Sequence, residues 1–262
     1  MKLHDLLAII QETSETQGLS TPFIVGGTPR DRVRGEAKEI NDIDLTSQNG
    51  DSVELAFACL DKLPYTYFQL FDDGHASMRI GALQIDFSNH FIISQVDSEL
   101  NQLGVKDRSP LTREMYSRDF TINTLLQDLN FEKVFDITGQ GVRDIKAGVI
   151  RCPIDPELTI SSDPKRILRA LRFSLRFDYT IDGDLVKAIK KYRHLLKNSS
   201  PEYVKDKANE LIKLDSKKAI KMMIEFGLLN VIPMTKLISD TLIENKLLYY
   251  AFQNNTNKKD KI

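Results

Sequence analysis

Asp42 and Asp44 stand two residues apart in the alternating run Asp42-Ile43-Asp44-Leu45-Thr46. Such alternation predicts a strand, and residues two apart on a strand point to the same face. Two carboxylates on one face repel each other unless a cation sits between them. Hard oxygen ligands suit Mg²⁺, which is commonly held by one or two carboxylates plus substrate phosphates. A lone Asp-x-Asp is most often an ordinary exposed pair, so its neighbours matter. Gly26-Gly27 follows the apolar run Phe23-Ile24-Val25. A Gly-Gly turn after a strand leaves backbone N–H groups open to a phosphate, although glycines also make plain tight turns. Arg30 follows within one helical turn, and its guanidinium suits a triphosphate. The pattern GxxxxGK[ST] does not occur, so this is not a P-loop. Asp86, in Leu83-Gln84-Ile85-Asp86-Phe87, is the third candidate carboxylate. On an adjacent strand it would serve metal ligation or the deprotonation of an attacking hydroxyl. An exposed strand aspartate would have the same local pattern.

The elements that must position these groups follow from patterning. Residues 3–16 predict a first helix, 23–25 and 42–46 strands, and 53–60 a helix. Pro29 fits the first turn of a further helix. Residues 65–71, 77–80 and 83–87 predict strands, with Gly74 and Gly81 at turns. Residues 94–113 are polar without a clear period, which predicts a long loop. Residues 118–127 predict a helix, and 134–136 a strand leading into turns at Gly139 and Gly141. From Ser161 the pattern turns helical: 166–176, 185–196, 201–214, 216–226 and 237–252, with Pro201 and Pro233 at helix starts. The expected fold class is α+β. A head with a mixed β-sheet and flanking helices spans 1–150, an all-helical part spans 151–252, and 253–262 is a flexible polar tail.

The chain has 262 residues, 41% hydrophobic and 28% charged, which excludes a disordered or fibrous class. The formal net charge of −1 hides a split. Residues 1–150 hold 14 Lys/Arg against 23 Asp/Glu, and residues 151–262 hold 22 against 14. Such asymmetry marks an acidic site in one part and an anionic partner for the other, or two solvated faces. Cys59 and Cys152 form no CxxC, and the four histidines form no HExxH, so neither a disulfide framework nor a zinc site of cysteines is expected. No apolar run approaches the roughly 20 residues of a membrane span, and the N-terminus lacks the basic start of a signal peptide. A cytoplasmic protein is expected.

Gly26-Gly27-x-x-Arg30-Asp31 followed by Asp42-x-Asp44 is similar to the head-domain pattern of the class II tRNA nucleotidyltransferase and bacterial poly(A) polymerase superfamily. Arg118-Asp119-Phe120-Thr121-Ile122-Asn123 resembles its second motif, RDFTIN. Asp136 with Gly139 and Gly141 resembles the third. Ser162-Asp163-Pro164-Lys165-Arg166-Ile167-Leu168-Arg169-Ala170-Leu171-Arg172-Phe173 resembles the fourth, EDPxRxLRAxRF. The four occur in family order between Phe23 and Phe177. The resemblance implies a nucleotidyltransferase head followed by a helical neck and a reduced body. It implies attack of a 3′-hydroxyl on the α-phosphate of a nucleoside triphosphate, with two Mg²⁺ ions held by Asp42 and Asp44. Gly26, Gly27 and Arg30 would then hold the triphosphate, and Arg118, Asp119 and Asn123 would select ribose. Asp119 also suits an N-cap of the next element. The resemblance makes Asp163 and Arg166 the pair that reads the incoming base. Three apart, they would share a helix face, with Asp163 as an N-cap before Pro164 as the structural alternative. Arg169 joins the nucleotide-binding set, and it, Arg172 and Arg176 suit backbone phosphates or structural pairs.

This sequence has Ser162 where the family has Glu, Ser117 where Arg is frequent, and Ser88-Asn89-His90-Phe91 in place of a Thr-Phe-Arg element. The basic segment GRRFRLxHV of the poly(A) branch is replaced by Asp72 to Ile80. The resemblance therefore implies addition of C and A to a tRNA 3′ end, with CTP and ATP as substrates. Poly(A) synthesis, CC-only or A-only addition, a non-catalytic RNA-binding relative, and modification of a protein or small molecule are the alternatives. The 94–113 segment occupies the place of the family's flexible loop, which favours full CCA addition. The basic part from Lys187 to Lys221 would grip RNA through phosphates.

Overall fold

Short alternating strands and glycine turns in the first half build a sheet, and amphipathic repeats in the second build helices. The computed structural model describes residues 2–36, 39–88 and 91–244. Within it the chain forms two compact units. The first runs up to Ala147 and includes Cys152–Ile154. The second holds Gly148–Arg151 and the chain from Asp155 onward.

In the first unit α1 (Leu3–Thr16) leads into β1 (Pro22–Val25), α2 (Gly27–Val33), β2 (Asp42–Ser47) and α3 (Ser52–Ala58). Three strands follow: β3 (Tyr67–Leu70), β4 (Ala76–Ile80) and β5 (Leu83–Phe87). Next come α4 (Val96–Gln102), α5 (Pro110–Ser117), a 3₁₀ turn (Thr121–Asn123), β6 (Leu125–Gln127), β7 (Val134–Asp136) and α6 (Gly141–Ala147). The seven strands of this sheet lie in the order β3-β4-β5-β2-β1-β6-β7. Within this sheet the described pairings are antiparallel except β2–β5, which is parallel. Ile43, Leu45, Ile85 and Phe87 are fully buried and pack with Leu6, Leu7 and Ile10 of α1 and Leu55 of α3. Their strand neighbours Asp42, Asp44 and Asp86 therefore emerge on the opposite face. Amphipathic alternation thus buries one face and presents the carboxylates on the other.

Two expectations fail here. The 94–113 segment is not one long loop: it contains α4 and α5. Each helix is about two turns long, so its apolar period shows only as single pairs, Val96/Leu100 and Leu111/Met115. Ser109 caps α5 by accepting from the Thr112 N–H, with Pro110 at the first position. Residues 118–127 do not form a helix either. They make the 3₁₀ turn and then β6, which pairs with both β1 and β7. Strand pairing overrides the local helical pattern at Leu125 and Leu126.

The second unit is helical, with one short parallel ladder between β8 (Val149–Ile150) and β9 (Thr180–Ile181). Its helices are α7 (Pro156–Ser162), α8 (Arg166–Phe177), α9 (Gly183–Tyr192), α10 (Pro201–Leu214), α11 (Ser216–Glu225) and α12 (Lys236–Glu244). Ile167, Leu168 and Leu171 bury one stripe of α8, and Phe173 and Phe177 are buried on another side. Pro201 opens α10 as expected. Pro233 does not open α12, which starts at Lys236. The helix expected to reach 252, and the expected tail 253–262, extend outside the described residues. No described helix is long and apolar enough to cross a membrane.

Candidate active site

The site starts from the strand register. Asp44 stands opposite Asp86 on the parallel β2–β5 pair, and Asp42 opposite Gln84. Period-two geometry puts all four on one face. Burial and the like charge of Asp86 hold the Asp42 carboxyl above its ordinary value. A bound cation would relieve that strain. Gln84 Nε2 donates to both Asp86 oxygens at 3.1 Å. Among the described residues, no three His, Cys, Asp or Glu side chains gather closely enough to hold one ion. Asp42 and Asp44 offer two same-face carboxylates, a donor pair that could hold Mg²⁺ if substrate phosphates and water completed it.

Gly26 closes one side of this face. It pairs no side chain of its own and has φ 76° and ψ −119°, a backbone conformation reserved for glycine. A Cβ there would stand 2.6 Å from Asp44 Oδ2 and 3.7 Å from Arg118 Nη1. The missing side chain is therefore what admits both groups. Gly27 begins α2, and Arg30 Nη2 lies 3.5 Å from where its Cβ would be.

Arg30 is buried and joins two motifs distant in sequence. Its Nε donates to Asp31 Oδ1 and its Nη1 to Asn123 Oδ1, both at 2.8 Å. Asn123 Nδ2 donates in turn to Asp119 Oδ1 at 2.9 Å. Asp119 Oδ1 also accepts from the Phe120 N–H at 2.8 Å, so it shapes the turn locally as well. Asp31, Arg30, Asn123 and Asp119 thus form one hydrogen-bonded network beside Gly27, and Gly26, Asp44 and Arg118 lie together at a second point.

The motif around Asp136 braces that turn from behind. Asp136 Oδ2 accepts from the Val142 N–H at 2.9 Å. Buried Asp144 accepts from Thr121 Oγ1 at 2.8 Å. Gly141 is fixed by contact: a Cβ would meet the Thr121 carbonyl oxygen at 2.7 Å and Leu125 Cδ2 at 2.8 Å.

Asp163, Arg166 and Arg169 belong to the second unit. Asp163 and Arg166 do not share a helix face. Asp163 is extended (φ −147°, ψ 97°) at the end of α7, and α8 begins only at Arg166. Asp163 does make the expected cap bond, but at a turn that leads into α8 rather than at Lys165, the residue directly before the helix. Its carbonyl accepts from the Arg166 N–H and its Oδ1 from the Lys165 N–H, both at 3.1 Å, with Pro164 between. The pair stays close through this turn rather than through helical spacing. Arg169 and Arg172 lie over the Phe173 ring at 5.9 and 5.1 Å, and Arg176 over Phe177 at 5.4 Å. Such contacts hold the guanidinium groups against their own helix. Arg169 and Arg172 also line a cavity of about 180 Å³ with Tyr203, Lys207 and Glu210 of α10.

Glu114 was not singled out by the sequence, yet it is a buried carboxylate with three hydrogen-bond partners. It is 3% exposed. Its Oε1 accepts from Arg118 Nη2 at 2.7 Å and its Oε2 from Thr46 Oγ1 at 2.5 Å. The four-residue spacing to Arg118 was the available signal.

The carboxylate face beside a glycine notch, on a mixed sheet with a following helical unit, defines a nucleotidyltransferase head fold. Residues 22–151 match the family described as poly A polymerase head domain. Residues 178–238 match that described as the probable RNA and SrmB-binding site of polymerase A. The chain belongs to the tRNA nucleotidyltransferase and poly(A) polymerase superfamily. A tRNA nucleotidyltransferase of Schizosaccharomyces pombe is 28% identical over 232 residues, covering 82% of this chain and 48% of the relative. A CCA-adding enzyme of Bacillus pumilus is 29% identical, covering 80% and 51%. The solved Thermotoga maritima CCA-adding enzyme, complexed with tRNA, is similar with a TM-score of 0.68 at 27% identity, covering 86% of this chain and 50% of that one. The chain spans about half the length of these relatives.

Proposed function

We propose that this chain adds C and A residues to the 3′ end of tRNA without a nucleic-acid template, using CTP and ATP. The observation that carries this reading is the same-face trio of Asp42, Asp44 and Asp86 beside the Gly26 notch. A nucleotidyl transfer needs a cation-holding carboxylate pair next to an opening for phosphates, and that corner supplies both. Asp42 and Asp44 would hold Mg²⁺, two ions in all, with substrate phosphates as the remaining ligands. When bound, the metal supplies positive charge for the attacking and leaving oxygens.

The chain's own groups divide the remaining work. Backbone N–H groups at Gly26 and Gly27, with the Arg30 edge beside Gly27, receive the triphosphate. Arg118 offers charge to the same phosphates. Asp86 accepts the proton of the attacking hydroxyl. Asp119, held by Asn123, accepts from the ribose hydroxyl. Asp163 and Arg166 read the Watson–Crick edge, with an acceptor and a forked donor that suit C and A. Arg169 and the basic face around Lys207 meet RNA phosphates. Two buried thiols that form no disulfide, Cys59 and Cys152, support a reducing compartment such as the cytoplasm.

The test is incubation with Mg²⁺, tRNA ending at the discriminator base, and labelled CTP or ATP. Incorporation that is lost in both Asp42→Ala and Asp44→Ala supports the reading. No incorporation with either nucleotide refutes it. Long A tails assign the chain to the poly(A) branch instead.

A further inference from the structure

Glu114 sits one step along the carboxylate face. Thr46 follows Asp44 by two residues on β2, and Ser88 follows Asp86 by two at the end of β5. Glu114 accepts from both hydroxyls, from Thr46 Oγ1 at 2.5 Å and from Ser88 Oγ at 3.4 Å. It therefore ties together the two strands that carry the facing aspartates. Its third partner is Arg118, whose Nη2 it binds at 2.7 Å.

The other edge of that guanidinium looks toward Gly26. Asp44 Oδ2 and Arg118 Nη1 lie within 4 Å of one point there, the position of the absent Cβ. Asp44 is thus a second carboxylate in the neighbourhood of this guanidinium. If it settled on Asp44, it would occupy an oxygen that the reading above assigns to Mg²⁺, and its charge would oppose that of the metal.

We propose that Glu114 is a positioning residue that holds Arg118 off Asp44. Bound to Glu114, Arg118 does not compete with a divalent cation for Asp44, and its far edge stays turned toward the phosphate opening. The inference rests on the assignment of Asp42 and Asp44 as the cation pair. Glu114 contacts no substrate in this role and acts through Arg118 and Thr46.

The experiment is a Mn²⁺ titration of the full chain, read by the electron paramagnetic resonance of the free ion, so that no catalysis is needed. Glu114→Gln should weaken Mn²⁺ binding about tenfold or more, the usual effect of losing an outer partner of a metal site. Removing the displaced cation as well, in Glu114→Gln with Arg118→Met, should restore affinity to within about twofold of the parent. A merely structural role for Glu114 would leave the double variant as weak as the single one. Equal affinity of Glu114→Gln and parent, or a failed rescue, overturns the proposal. Arg118→Met alone keeps the test open where Glu114→Gln does not fold. With Glu114 holding Arg118 away, that variant should bind Mn²⁺ within about twofold of the parent. A tenfold gain would show that Arg118 already sits on Asp44 and would overturn the proposal. A parent chain that binds no Mn²⁺ refutes the cation-pair assignment itself, and the positioning role with it.

Discussion

Replacing Gly26 by alanine separates two effects that the structure predicts at one residue. The first is backbone strain. Gly26 has φ 76° and ψ −119°, and holding a non-glycine residue in such a region costs about 1–3 kcal/mol. For a unit near 150 residues, each kcal/mol lowers the melting temperature by roughly 2–4 °C. A loss of about 2 kcal/mol thus predicts a fall of about 4–8 °C. The second effect is contact. The new Cβ would stand 2.6 Å from Asp44 Oδ2, so the carboxylate must move away. A displacement approaching 1 Å at a reacting centre costs about 100-fold in rate. Gly35 supplies the control, because it has φ 75° and, among the described residues, nothing within 4 Å of its would-be Cβ. Gly35→Ala should also lose stability but keep its activity. The assay is single-turnover nucleotide addition at saturating nucleotide, paired with thermal melts of both variants. Equal activity in Gly26→Ala and Gly35→Ala would refute the claim that the notch at Gly26 exists to seat Asp44.

Gly141→Ala should lower stability by about 1–3 kcal/mol through overpacking, since its Cβ would press on the Thr121 carbonyl oxygen at 2.7 Å. Nucleotide addition should fall with it, because the turn carrying Asp119 and Asn123 is displaced; a melt and a rate measurement check both. Asp51 accepts from Ser20 Oγ at 2.6 Å and from the Ser20 N–H at 2.9 Å. Burial pushes its carboxyl up, but these bonds outweigh it and hold the group below its ordinary range. A depressed carboxyl stabilises above its unfolded pKa and loses that contribution as pH falls. Asp51→Asn should therefore cost about 1–2 kcal/mol at neutral pH, and urea melts should show the gap closing as pH drops below about 4. Burial raises the Cys59 thiol to about 11, so a disulfide reagent at pH 8 should label it only as fast as the protein opens. Immediate labelling of the native chain would contradict the buried placement.

The carboxylate face was legible because its cause is local. Alternation in Asp42 to Thr46 predicts both the strand and the shared face, and the register then adds Asp86 opposite Asp44. The Gly26 turn was legible for the same reason. What patterning missed depends on partners far away in sequence. Residues 118–127 have a helical pattern, but β6 exists because β1 and β7 flank it. The α4 and α5 helices are too short to display a period. Asp163-Pro164 has the composition of a helix start, yet the chain makes one more turn before α8 begins at Arg166. Glu114 drew no attention in the sequence because its partner Thr46 lies 68 positions away. Only the folded sheet brings that hydroxyl to it.

The most direct measurement is the intact mass of a tRNA ending at the discriminator base after incubation with this chain, Mg²⁺, CTP and ATP. The account predicts a single product heavier by two cytidylates and one adenylate, with growth stopping there and no product from a chain carrying Asp42→Ala and Asp44→Ala. An unchanged mass with the intact chain, or the same product from the chain without these carboxylates, would contradict it.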